Sequence, residues 1–170
     1  MSATGNIELT DQGQIARMTL PGWEEVDTDS KPTMGTVRKF QHPGFPDVRL
    51  LFMYRGRPVS ERSATIFDSV LNKAPYHLSV SDQWDLVELI RDMASPDYFN
   101  VLAARTETLR GRPVLIVEGR WKNEGIDETH IFIKAGEAEF VQEISFLGPS
   151  ESYLRCISEI KKCFQSIEWI

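Results

Sequence analysis

The stretch that decides the fold is AEFVQEISFLGPSESYLRCISEIKKCFQSI, residues 138 to 167. In its first third, Phe140, Ile144 and Phe146 fall on one side of a period-two strand, with Val141 and Leu147 on the other. After Gly148-Pro149 the apolar period changes. Tyr153, Ile157, Ile160, Phe164 and Ile167 recur at alternating steps of four and three, which predicts one buried face of a helix from about Ser150 to Ile167. Proline is tolerated in a first helical turn, so Gly148-Pro149-Ser150-Glu151 reads as its start. Cys156 and Cys163 flank the stripe. Seven residues at 1.5 Å rise put their Cα atoms roughly 10 Å apart, too far for a disulfide, so they read as small packing residues.

Working outward, three more strands precede this pair. Val101–Leu109 and Pro113–Lys122 meet at Arg110-Gly111-Arg112, a tight hairpin, and Asn123–Asp127 turns into Glu128–Lys134. Short loops between consecutive strands make an antiparallel meander. Further upstream, Asp47–Tyr54 has Val48, Leu50, Phe52 and Tyr54 on one face and Leu51 and Met53 on the other. A strand apolar on both sides is covered on both sides. Asn6–Thr10, Gln14–Leu20 and Gly35–Gln41 read as further strands, with turns at Asp11-Gln12-Gly13 and Pro21-Gly22-Trp23 and a polar loop at 27–32. His42-Pro43-Gly44-Phe45-Pro46 reads as a rigid connection outside any ladder.

Between the two strand-forming halves lies a helical insertion, residues 58–100. Ser60 can cap a helix over Glu61–Ala74 with Ile66, Phe67, Val70 and Ala74 inward, and Pro75 stops it. Ser81 or Asp82 can cap a second helix, to about Ala94, with Leu86, Val87, Ile90 and Met93 as its stripe. The expected fold is α+β: one antiparallel sheet of about six or seven strands, sandwiched between the C-terminal helix and the mid-chain insertion. Residues 1–170 read as a single domain.

The order of landmarks resembles a known superfamily. Leu20-Pro21-Gly22-Trp23, Leu109-Arg110-Gly111-Arg112-Pro113, Val117-Glu118-Gly119, Gln142-Glu143-Ile144-Ser145-Phe146 and Phe164-Gln165-Ser166-Ile167 follow one another as in the α/β/α sandwiches that include PsbP, the Ran-binding import factor Mog and bacterial DcrB-like proteins. The likeness covers about residues 14 to 167 and carries no catalytic motif. It implies a non-enzymatic adaptor or assembly role, with another protein as partner and no cofactor.

Composition bounds the rest. At 41% hydrophobic and 26% charged the chain is that of an ordinary globular protein. A net charge of −6 argues against nucleic-acid binding. No apolar run reaches the roughly 20 residues of a membrane span, and the amino terminus lacks the cationic head and apolar block of a secretory signal, so a cytoplasmic protein is expected. A homodimer is left open.

Several residues are weighed as sites. Arg55-Gly56-Arg57-Pro58 recurs as Arg110-Gly111-Arg112-Pro113. Arg-Gly-Arg-Pro is a minor-groove hook in flexible basic surroundings, but in this acidic chain both copies read as turns. Were they at one sheet end, the four arginines could form a site for an anion or acidic peptide. Asp82, Asp85, Glu88 and Asp92 make an acidic stripe, read as a solvated face. Asp127, Glu128 and His130 suggest a metal only faintly, and His42 and His77 stand apart. Tyr76, His77, Trp84, Tyr98 and Phe99 concentrate aromatic surface in the insertion, where core packing competes with partner contact. No nucleophile elbow, phosphate loop or dinucleotide fingerprint is present. Two rival functions remain: a small-molecule or lipid pocket between sheet and mid-chain helices, and a hydrolase with a dispersed site.

Overall fold

The computed structural model describes residues 6–9, 16–26, 38–134 and 140–169, with the backbone alone at 6–9, 16, 53–58 and 140. The strands are β1 (Asn6–Leu9), β2 (Ala16–Thr19), β3 (Glu24–Val26), β4 (Arg38–Gln41), β5 (Arg49–Pro58), β6 (Tyr76–His77), β7 (Phe99–Leu109), β8 (Arg112–Trp121), β9 (Ile126–Lys134), β10 (Phe140–Pro149) and β11 (Glu168–Trp169). The helices are α1 (Glu61–Asn72), α2 (Val80–Asp85), α3 (Val87–Ile90) and α4 (Ser150–Gln165), with a 3₁₀ turn at Arg91–Ala94.

The main sheet has the order β3-β4-β5-β10-β9-β8-β7-β6, every neighbouring pair antiparallel. It is one strand longer than the upper expectation because β3 and β6, three and two residues long, are too short to leave a period in the sequence. β1 and β2 join β11 in a separate three-stranded sheet. The strand after α4 is a further correction: the helix ends at Gln165, and Glu168–Trp169 pairs with β2. The turn expected at residues 11–13 and the loop at 27–32 lie outside the described residues.

Period-two alternation sorts the sheet's side chains between two cores. Leu50, Phe52, Ile131, Ile133, Ile144 and Phe146 face α4, where Tyr153, Cys156, Ile160, Cys163 and Phe164 meet them. Both cysteines thus lie on the buried stripe itself, and burial pushes the Cys163 thiol up to about 12. On the opposite face Leu115, Val117, Phe132 and Val141 meet Ala64, Phe67, Val70 and Leu71 of α1, together with Leu86, Leu89, Ile90 and Met93.

The second mid-chain helix is not continuous. Ser79, rather than Ser81 or Asp82, caps α2, its Oγ accepting the Asp82 N–H while the Asp82 carboxylate accepts the Ser79 N–H. The chain then breaks at Leu86 and again at Arg91, whose φ of 54° is unfavourable for a residue with a Cβ. Those breaks bury Leu86 at the first junction, Leu89 and Ile90 of α3 and Met93 of the 3₁₀ turn, a set that a single helical stripe does not anticipate.

Two tight places in the β7–β8 hairpin are testable. Arg110 and Gly111 have φ of 49° and 84° between the paired Leu109 and Arg112, a two-residue turn in the left-handed region. Arg110→Asn should raise stability by roughly 0.5–1 kcal/mol, since asparagine tolerates that conformation better than arginine. A Cβ on Gly119 would overlap the Asn100 carbonyl oxygen and lie 2.7 Å from the Phe99 ring. Gly119→Ala should therefore cost about 2 kcal/mol; urea titrations of both variants check the two signs.

Candidate functional site

The insertion is held together by its own polar groups. The Glu88 carboxylate accepts from the Ser60 N–H at 2.7 Å, the Ser60 hydroxyl at 2.6 Å and the Ser63 hydroxyl at 2.8 Å, tying α3 to the start of α1. Tyr76 donates its hydroxyl to Asp82 at 2.6 Å, which holds that carboxyl below its ordinary range. Asp85 lies 3.9 Å from Arg62. Of the predicted acidic stripe, then, Asp82 and Glu88 are internal fasteners rather than a bare solvated face. Among the described residues no group of histidine, cysteine and acidic side chains is arranged to hold a metal ion.

Because α2 turns away at Ser79, a groove opens between α2, the 3₁₀ turn and the first half of β7. It measures about 470 Å³ and is lined by His77, Leu78, Val80, Gln83, Trp84, Met93, Ala94, Pro96 and residues 99–104. No lysine, arginine, aspartate or glutamate lines it. Three of its lining side chains stand in water, Val80 70% exposed, Leu102 76% and Trp84 49%, and Tyr98 (54%) and Val87 (43%) are exposed in the same segment. A bulge between Val101 and Ala103 puts Leu102 out of the β7–β8 ladder.

The sequence candidates divide here. His77 and Trp84 line the groove, Tyr98 stands exposed beside it, and Tyr76 is half-buried and spent on Asp82, with Lys73 over its ring at 5.0 Å. Phe99 is core. The paired arginine motif is corrected. Arg55 and Arg57 belong to β5, with Arg57 opposite Val141 and Pro58 opposite Phe140, so that copy is a strand and not a turn. Both copies do reach the same end of the sheet, yet β10, β9 and β8 stand between β5 and β7. At about 4.8 Å per strand, β5 is roughly 14 Å from Arg112 at the start of β8 and roughly 19 Å from the end of β7. Arg110 instead donates to the Gln165 carbonyl at 3.4 Å, and Arg112 lies 4.6 Å from the centre of the Trp169 ring. Val87, expected on the inward stripe, is 43% exposed, because the break at Leu86 sets a new phase in which Leu89 and Ile90 are the buried residues of α3; for Val80 and Leu102, a lone aliphatic in an apolar run does not reveal which side of a broken helix or a bulged strand it occupies.

A second constellation is buried. His130 lies between two carboxylates, Nδ1 at 2.6 Å from Glu128 and Nε2 at 2.9 Å from Glu143, and its ring stacks on Phe132. Glu128 also accepts from Trp121 Nε1 at 3.0 Å and the Ser145 hydroxyl at 2.8 Å. Asp127, its chain neighbour, points to the other face, where Arg120 and Ser150 meet it at 2.7 Å. The faint metal grouping of Asp127, Glu128 and His130 is therefore split by the sheet. Glu143, thirteen residues on, could be placed beside His130 only by the strand register. Chemically the cluster is closed: both imidazole nitrogens are engaged by carboxylates, and Ser145 donates to Glu128 rather than to the histidine. His42 is likewise engaged, Nδ1 accepting the N–H groups of Gly44 and Phe45 and Nε2 lying 2.7 Å from Glu159.

Burial alone would push the His130 imidazolium down, but the hydrogen bonds and charges of Glu128 and Glu143 outweigh it and raise it from 6.5 to about 9. Burial likewise opposes the Glu128 carboxylate, yet His130, Trp121 and Ser145 hold it below its ordinary range. A raised histidine stabilises fully below its unfolded value and loses that benefit as pH climbs through the folded one. Stability should thus fall between about pH 6.5 and 9, by on the order of 3 kcal/mol. His130→Gln should abolish that alkaline fall and cost about 3–5 kcal/mol at neutral pH, two buried carboxylates being left without their cation. Urea titrations across this range check both.

No family model matches the sequence, and no curated protein matches it. Among solved structures the chain is similar to cyanobacterial PsbP (CyanoP) from Synechocystis sp. PCC 6803, with a TM-score of 0.57 and 12% identity, over 98% of this chain and 99% of that one. It is also similar to LpqN of Mycobacterium tuberculosis, described as involved in cell envelope biogenesis, with a TM-score of 0.50 and 11% identity, over 96% and 88% of the two chains. At such identities the likeness is one of fold, and the fold is PsbP-like.

Proposed function

We propose that this protein is a non-enzymatic binding module whose partner is another protein, docked on the face of the helical insertion. One observation carries the reading. Of six exposed large apolar side chains among the described residues, five (Val80, Trp84, Val87, Tyr98 and Leu102) fall within residues 80–102, and three of them, Val80, Trp84 and Leu102, line one groove that holds no lysine, arginine, aspartate or glutamate. Scattered apolar residues on a surface need no explanation, but a cluster with an aromatic anchor is the usual mark of an interaction site. The closed Glu128–His130–Glu143 cluster supports the same reading, since it offers no free base to a nucleophile. The kinship with Mog and DcrB-like proteins that the sequence resemblance implies belongs to this proposal, as does the adaptor role.

A second reading has its own support. A volume of about 470 Å³ is within the range of small-molecule pockets, and this groove lies between sheet and mid-chain helices. A compound that fills it at 100 times its dissociation constant would add about 2.7 kcal/mol to stability.

Trp84→Ala combined with Leu102→Asp removes the centre of the patch without touching either core. Captured partner should fall at least tenfold with this variant while its melting temperature stays within a few degrees of the parent. Capture that survives both substitutions, or a thermal shift from a small compound that the double variant loses, would move the assignment off the protein-binding reading.

A further inference from the structure

The groove has the shape of a missing strand. β6 pairs with β7 through only Tyr76↔Thr106 and His77↔Arg105, and one more bond, Leu78 N–H to the Ala104 carbonyl at 2.9 Å, extends the ladder. Ser79 then leaves the sheet to cap α2. β7 itself runs on to Phe99. In line with β6, the slot has the edge of β7 as its floor and α2 and the 3₁₀ turn as walls. A strand needs about 4.8 Å across the ladder and roughly 10 Å between covering layers. A volume of about 470 Å³ then corresponds to roughly 10 Å of length, about three extended residues.

We infer that this slot takes a short extended segment of a partner protein, added antiparallel to β7 in line with β6, with an uncharged apolar core and basic flanks. The inference rests on the protein-binding reading above and names the chemistry of its partner. Edge addition of this kind draws affinity from main-chain hydrogen bonds and specificity from alternate side chains. The uncharged lining excludes a charged core. The helical insertion that forms its walls, residues 58–100, holds seven carboxylates against three basic residues, which favours lysine or arginine on either side of that core. The same charge disfavours a second copy of this chain, because two acidic insertions would face each other. The bulge at Leu102 also blunts the edge against a long flat strand such as another β7.

The test is to pan a random linear heptapeptide phage library on the immobilised full chain and to titrate synthetic versions of the enriched sequences. Expected are cores of about three uncharged residues, apolar at the first and third, with lysine or arginine outside. Trp84→Ala and Leu102→Asp should each weaken the titrated peptide at least tenfold. N-methylation of one core amide should do the same. Peptides that depend on Trp84 but bind equally well when N-methylated at every core position would overturn strand addition and leave the binding surface standing. Absence of any enriched sequence would overturn the short-segment partner, while a folded partner lost with Trp84→Ala would still uphold the protein-binding reading.

Discussion

Strand β9 cannot be satisfied from one side. Ile131 and Ile133 must leave water against α4, and Phe132 between them must do so against the opposite layer. Because adjacent side chains of a strand point to opposite faces, no single helix can cover the run, and the chain has to supply two. The C-terminal cover is one 16-residue helix. The other cover is assembled from α1, two short helices and a 3₁₀ turn. Much of the rest follows from that inequality. A continuous helix leaves few exposed apolar side chains, and Leu154 is the single large one on α4. A cover in pieces has seams, and one seam is the groove beside β7.

The seam is also where local rules are broken. Arg91 takes a conformation that suits glycine, Leu102 stands outside its ladder, and Gly119 gives way to the Asn100 carbonyl and the Phe99 ring. Departures of this sort cost free energy and persist where surrounding packing over-determines them. Glu88 on the serines of α1 and Asp82 on Tyr76 and Ser79 supply that packing with directed hydrogen bonds. The polar groups of the insertion hold the apolar ones at its rim.

Periodicity made the long elements legible. The steps of four and three from Tyr153 to Phe164, and the two-faced runs at Leu50–Phe52 and Val141–Leu147, each bury enough side chain to impose their period. What stayed illegible was short or non-local. β3, β6 and β11 have too few residues for alternation, and Ser79 is hard to single out as the cap because Ser81 and Asp82 offer the same chemistry two or three positions later. Trp84, His77 and Tyr98 stand out in the sequence as aromatic residues of the insertion, but core packing and partner contact leave the same letters, and Phe99 beside Tyr98 is core. The repeated Arg-Gly-Arg-Pro misled, because identical letters met different pairings: one copy runs inside β5 and the other closes a hairpin. His130 was visible as a histidine beside acids, but its second partner is set by strand register.

That register is where the buried ion cluster has its widest effect. An apolar strand shifted by two positions keeps every greasy side chain on its proper face, so hydrophobicity alone is indifferent between the two alignments. A one-position error is punished by the core, whereas a two-position error goes unnoticed there. With Ser145 opposite His130 and Glu143 one same-face position along, opposite Phe132, sliding β10 by two so that Leu147 met His130 would carry a carboxylate off its cation and leave both in a dry interior. Trp121 extends the same check to β8 through Glu128. The trio therefore works as a one-way key across three strands, making costly one misalignment that oil-like packing would let pass.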